Sequence, residues 1–256
     1  MFIPAILPGR RPLPEALLHL LQATRPGFAP HGTLRFGDPR VAACLPEGGL
    51  TRGGLHAIGA PATDAGSGTA AAGFAACLLA GFSSPQPVFW ITPWPDLHAA
   101  GLPGWGFDPG RLLFVHTDDD TATLAAMEIV LRGGAAAAAL GEVGALPELP
   151  ARRLQLACRR HGVTGFVLQR PSRWHVPPRQ EAAAVATRWE VAPAPSAAEH
   201  REPGPARWRV RLQLARGGHE GAWIMEAAAQ DAAFPLRVVA ELADPAAAPE
   251  RRRLAG

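Results

Sequence analysis

Short, unbroken apolar runs separated by helix-length segments constrain this chain more than any other feature. PVFWI at 87–91 is apolar without alternation, the pattern of a strand buried on both faces, and LLFVH at 112–116 reads as the next strand. Leu55 to Ile58 before them and Gly165 to Leu168 after them read as further strands, with the weaker run 135–140 as another. Thr69 to Ala80, Thr121 to Arg132 and residues 149–161 read as the intervening helices. The cluster Asp118, Asp119 and Asp120 precedes the second helix, where carboxylates cap free backbone amides; magnesium binding by the three is the competing use. Strands alternating with helices predict an α/β fold: a mostly parallel sheet with helices on both faces and right-handed crossovers. The passage containing GLPGWGFDP, 93–110, is a turn-rich link between the second and third strands.

The pattern changes beyond residue 170. Arg188 to Val191 and Trp208 to Leu214 alternate as half-exposed strands do, and Gly221 to Glu226 is a hairpin partner across Gly217 and Gly218. These additional C-terminal β-rich strands extend the sheet as antiparallel edge strands or form a small appendage. The expected organisation is an N-terminal helix (12–23) and linker over 1–40, a core over 41–185, C-terminal strands over 186–242, and a flexible tail over 243–256. A mobile Pro/Ala-rich loop is expected at 192–206.

Composition enters where it excludes chemistry. All 25 basic residues are arginine, so no mechanism that needs a lysine ammonium is open to this chain. A net charge of +3 is a weak pull towards nucleic acid. Cys44, Cys77 and Cys158 have neither the number nor the spacing of a disulfide framework or a cysteine-rich metal site, which suits a reducing interior. The N-terminus lacks a signal-peptide pattern, and no stretch of about 18 apolar residues runs free of Gly, Pro and charge. A soluble, untargeted, cytoplasmic protein with no membrane association is expected.

LHAIGAPATDAGSGTAAAGFAACLLA, from Leu55, has the order strand, Gly-rich loop, helix that phosphate-binding loops use. Anchored on Thr69, the glycine, lysine and Ser/Thr positions of such a loop fall on Ser67, Gly68 and Thr69. Counted from Gly59, they fall on Asp64, Ala65 and Gly66. Neither register has a lysine, and Asp64 would bring a carboxylate to the phosphate position. Ser67, Gly68 and Thr69 are thus the candidate, degenerate nucleotide contacts, beside a purely structural loop. No catalytic residue, metal site or cofactor is assigned; Glu142, at a strand end, is either a water-polarising group or an ordinary hydrogen-bonding residue. Arg170, Arg173, Trp174, His175 and Arg179 fall in one loop, and Arg207, Trp208, Arg209 and Arg211 interleave arginine with an aromatic ring. Such sets contact nucleic acid, form a protein interface, or cover a solvated face. Trp189, Trp208 and Trp223 are interface anchors or a cover for one side of the appended strands.

The order of these elements resembles the RecA-like recombinase core. LPEGGLTRGGLHAIGA (45–60) is similar to the entry into that superfamily's phosphate loop, 87–115 to its next two strands, and LAAMEIVLRGG (124–134) to the helix before its Walker B strand. Gln169 stands where recombinases carry a nucleotide-sensing glutamine. Gly141 stands at the Walker B aspartate, with Glu142 beside it, and Asp96 is the nearest acidic residue to the catalytic glutamate. Within the superfamily the chain resembles the ImuA family over about residues 40–240. GFDPGRLLFV, RRLQLACRRHGVTGFVLQR, ATRWEVAPAPS, and RWRVRLQLARGG with AWIMEA carry that resemblance. It implies a non-catalytic accessory of the SOS damage-induced mutagenesis complex, working in translesion synthesis with ImuB and an error-prone C-family DNA polymerase. RecA and a weak single-stranded DNA contact are further candidate partners. A nucleotide-regulated or single-stranded DNA-binding RecA-like protein is the alternative.

Overall fold

A computed structural model describes residues 32–61, 68–94, 96–170, 183–196, 204–228 and 234–242. The expected helix at 12–23 and the expected tail at 243–256 lie outside these residues, as do residues 197–203 of the expected loop at 192–206, whose first three residues instead end a strand.

The chain is a mixed α/β protein built on one nine-stranded sheet flanked by helices. The central, almost wholly buried segments form β3 (Leu55–Gly59), β4 (Val88–Thr92), β6 (Ala138–Val143) and β7 (Thr164–Gln169); β5 (Leu112–His116), only half-buried, lies at one edge. These five strands are parallel, in the order β3, β7, β6, β4, β5. Helix α2 (Gly68–Ala80) lies against one face, and α3 (Asp120–Gly133) and α4 (Glu148–His161) against the other. The glycines that follow α3 and α4, Gly134 and Gly162, take φ of 70° and 76° as left-handed caps, a conformation that costs a Cβ-bearing residue more.

The C-terminal strands extend this same sheet. β8 (Thr187–Ala194) joins β3 in parallel, and β9 (Arg207–Ala215), β10 (Gly221–Ala227) and β11 (Leu236–Glu241) follow antiparallel. This corrects the expectation that the first C-terminal strand is antiparallel. Its half-polar alternation shows that one face is open, which does not set strand direction.

Residues 33–40, expected as linker, belong to the folded body. β1 (Thr33–Arg35) pairs with β2 (Gly49–Thr51), and α1 (Pro39–Cys44) stands between them. Asp38 caps α1 by accepting from the Arg40 amide at 3.0 Å, and Pro39 at the first helical position needs no N–H partner. Leu34 and Phe36 are buried, and the Phe36 ring stacks on Trp189 with centroids 5.9 Å apart.

Helix α2 is buried nearly all round because material covers both of its sides. The sheet lies on one, and the turn-rich passage 93–110 contributes Leu102, Phe107 and Trp105 to the other. Gly73 lets two indoles close on the helix: a Cβ there would sit 3.2 Å from both Trp105 and Trp208.

Candidate functional site

Parallel strands carry polar groups past their C-terminal ends, the usual place for a ligand in an open α/β sheet. Four elements converge there: the end of β4, the turn after it, the end of β6, and the residue following β7. Arg170 lies at the centre. It donates to both Asp96 oxygens, at 3.0 Å from Nη1 and 2.7 Å from Nη2, and from Nη1 to Glu142 at 2.9 Å. The Trp90 indole N–H donates to the other Glu142 oxygen. The guanidinium also lies over the Trp94 ring, 5.4 Å from its centroid, and a Cβ on Gly68 would be 3.2 Å from Arg170 Nε. An arginine side chain therefore reaches the start of α2, with two carboxylates and two indoles around it.

The carboxylates differ in environment. Glu142 is 1% exposed, and burial raises its pKa against the opposing pull of Arg170 and Trp90. Asp96 is open to solvent, and the Arg170 hydrogen bonds hold it below its ordinary range. Arg170 is raised further by the same partners, so it is charged at any working pH.

Strand parity explains why Glu142 takes part. Ala138 and Leu140 face α2, whereas Ala139 and Val143 face α3 and α4. Glu142 follows the first set. Gly141 follows the second, and a Cβ there would lie 3.0 Å from the Met127 sulfur on α3. The carboxylate aimed towards the start of α2 is thus at 142, and an aspartate at 141 would point into the packed helix.

The other candidates fall out as follows. Gly68 and Thr69 open α2; Ser67 and Asp64 lie outside the described residues, as do Arg173, Trp174, His175 and Arg179. Gln169 ends β7, paired with Gly59 and Val143 on its two sides. In the acidic cluster, Asp119 caps α3 by accepting from the Ala122 amide at 2.7 Å. Asp120 braces the turn after β6, accepting from Gly144 at 2.9 Å and Ala145 at 3.3 Å. Among the described residues no group of three or more His, Cys, Asp or Glu side chains is gathered to hold a metal, and no helix is long and apolar enough to cross a membrane.

Trp189, Trp208 and Trp223 are 1%, 3% and 1% exposed, so as anchors for a partner they are corrected to core residues. Period-two alternation places them there: Trp208 points to α2, while Arg207 and Arg209 point to the opposite face of the sheet. Arg207 donates to buried Glu226 at 2.7 Å, and Arg237 of β11 holds the other oxygen at 2.5 Å.

Arg170, Trp90 and Trp94 are the members of the cluster that the sequence did not single out for this role. Arg170 counted there as one of a basic loop. Its position directly after a parallel strand was the available signal, because such positions line the ligand edge of the sheet.

No family model matches the chain. Two relatives named Protein ImuA, from Caulobacter vibrioides strains NA1000 / CB15N and ATCC 19089 / CIP 103742 / CB 15, are each 39% identical to it over 225 residues. The alignments cover 84% of this chain and 92% of each relative. On identity of that extent the chain belongs to the ImuA family.

Proposed function

We propose that this protein is a non-catalytic RecA-like accessory of the damage-induced mutagenesis complex, an adaptor that works with ImuB and an error-prone C-family DNA polymerase in translesion synthesis. Kinship with the ImuA proteins supports the accessory role and the RecA-like relationship. The absence of lysine from the sequence supports the non-catalytic part. The observation that carries it is Arg170, whose guanidinium ties Asp96 to Glu142 beside the first turn of α2. Water activation needs a carboxylate free to accept a proton, and magnesium needs one free to ligate. Here the two nearest carboxylates hold an internal cation, and the arginine lies where the terminal phosphates of a nucleotide would approach the helix.

Titration of the protein against purified ImuB, with and without ATP and single-stranded DNA, tests the reading. Binding of equal strength under all four conditions, with no nucleotide hydrolysis above background, is the expected result. DNA-stimulated turnover that Glu142→Gln abolishes would overturn it.

A further inference from the structure

Four large apolar side chains are exposed among the described residues, and two of them, Leu149 (70%) and Leu156 (63%), lie on α4. They are seven residues apart, two helical turns, so they share one face about 10 Å apart along the axis. The inward face of α4 is made by Ala151, Leu154, Ala157 and Cys158, which leaves the leucines at the centre of the outward one. Arg152 and Arg159 form a row on one side of them and Arg153 and Arg160 a row on the other, all four exposed. Glu148 pairs with Arg152 at 2.7 Å, and Glu128 of α3 is shared between Arg153 at 2.6 Å and Arg132 at 2.8 Å. The charge is felt locally: His161, at the end of the helix, is held below its ordinary pKa first by burial and then by Arg160 and Arg132.

We infer that the outward face of α4 is a docking surface for an acidic amphipathic helix of a partner protein. The chemistry selects this occupant over others. A leucine line flanked by cationic rows is complementary to a helix with an apolar stripe flanked by carboxylates. A second copy of this chain meeting the face symmetrically would set arginine against arginine. A nucleic acid backbone would use the arginines and leave both leucines against phosphate, where an aliphatic side chain neither stacks nor hydrogen-bonds. The inference is independent of the adaptor reading, since it concerns only the face and the chemistry that covers it.

The test uses the full chain and a fluorescein-labelled three-heptad peptide with leucine at its core positions and glutamate on both flanks, read by anisotropy. The expected result is saturable binding that Leu149→Ser with Leu156→Ser weakens at least tenfold, at unchanged circular dichroism. Arg159→Glu with Arg160→Glu should lose the acidic peptide and gain its lysine-flanked counterpart, an exchange that a folding defect does not produce. If the leucine pair disturbs folding, Leu156→Gln alone gives the same comparison. Peptide binding indifferent to the leucines, or no binding, overturns the inference. Arginine-dependent binding of a DNA oligonucleotide without peptide binding overturns it in favour of nucleic acid.

Discussion

The parallel strands β3 to β7 and the antiparallel strands β9 to β11 belong to one sheet but solve different burial problems. Helices lie on both faces of the first group, so β4 and β6 are buried at every position. In the second group the face towards α2 holds Trp208, Val210, Leu212, Trp223 and Met225. The opposite face of the second group carries Arg207, Arg209, Arg211, Glu226 and Arg237, with Glu226 accepting from Arg207 and Arg237, and Gln213 donating to Glu190 of the adjoining β8 at 3.1 Å. Two helices are replaced there by a lattice of charged cross-strand neighbours. The same backbone pairing thus tolerates either cover, and the side-chain period reports which one is present.

Truncating Trp208 attacks the covered face where the antiparallel strands meet α2. The indole packs edge-on against Phe74 with centroids 6.3 Å apart and fits over Gly73. Trp208→Ala should cost about 3–5 kcal/mol, the range for emptying an aromatic core site. Urea denaturation followed by circular dichroism reads it as a lower midpoint; a loss under about 1 kcal/mol would mean that this half is not packed as one core with α2.

The two halves also each bury a glutamate against arginine, with opposite results. Glu226 lies between two guanidinium groups and is held below its ordinary value although burial pulls it up, whereas Glu142 has one guanidinium shared with Asp96, and burial wins. Removing Arg170 leaves Glu142 with the Trp90 indole alone. Arg170→Ala should therefore destabilise by about 3–4 kcal/mol near neutral pH, because a buried carboxylate loses its counter-charge. Adding Glu142→Gln should recover most of that loss. The signs of the pH dependence differ as well. The contribution of Glu142, whose folded pKa is raised, is present below the unfolded value of 4.5 and lost as pH rises through the folded one. The contribution of Glu226, whose folded pKa is lowered, is present above 4.5 and lost as pH falls through its folded value. Equal pH profiles for Glu142→Gln and Glu226→Gln would erase the distinction between the two sites.

The seam between the halves, where β8 joins β3, has its own titrating group. His56 is fully buried, with Nε2 3.0 Å from the Thr51 carbonyl and Nδ1 2.8 Å from the Thr187 hydroxyl, which also accepts from the Trp189 indole at 2.8 Å. The carbonyl can only accept, so Nε2 carries the proton, and in the neutral ring Nδ1 accepts from the Thr187 hydroxyl. Burial lowers its pKa from 6.5 to about 4. The unfolded chain therefore binds a proton that the folded chain refuses between those values, and stability falls as pH drops from 6.5 to 4, by on the order of 3 kcal/mol. Chemical denaturation across that window should show the slope, and His56→Gln should flatten it; an unchanged slope would assign it to other groups.

Much of this architecture is legible in the sequence, for a physical reason. β4 announces itself through a continuous apolar run, and the helices through their length and flanking punctuation, because local burial sets local composition. Three features depend on partners remote in sequence and leave a weaker local trace. Residues 33–40 look like linker until Phe36 is found against Trp189. The direction of β8 follows from its pairing with β3 through Thr187 and His56, which no alternation encodes. The tryptophans of β8 to β10 read equally well as interface or core, since a period-two pattern shows that two faces differ without showing which is covered. At the candidate site, Glu142 and Asp96 are visible as acidic residues near strand ends, but the cation joining them is 28 residues from one and 74 from the other.

The smallest expected effect is also the sharpest check on the comparison between the two faces. Arg209 adjoins Trp208 in sequence and points to the other side of the sheet, opposite Ala192 and Ile224 on its neighbouring strands. Its side chain is exposed, so replacing it deletes neither packed volume nor the counter-charge of a buried acid. Arg209→Ala should change stability by no more than about 0.5 kcal/mol, the range of ordinary surface substitutions. Its denaturation midpoint should overlay that of the unaltered protein, while the neighbouring Trp208→Ala shifts far from it. If Arg209→Ala were costly, the charged face of β8 to β11 would be acting as a covered surface, and the two halves of the sheet would differ in polarity without differing in burial.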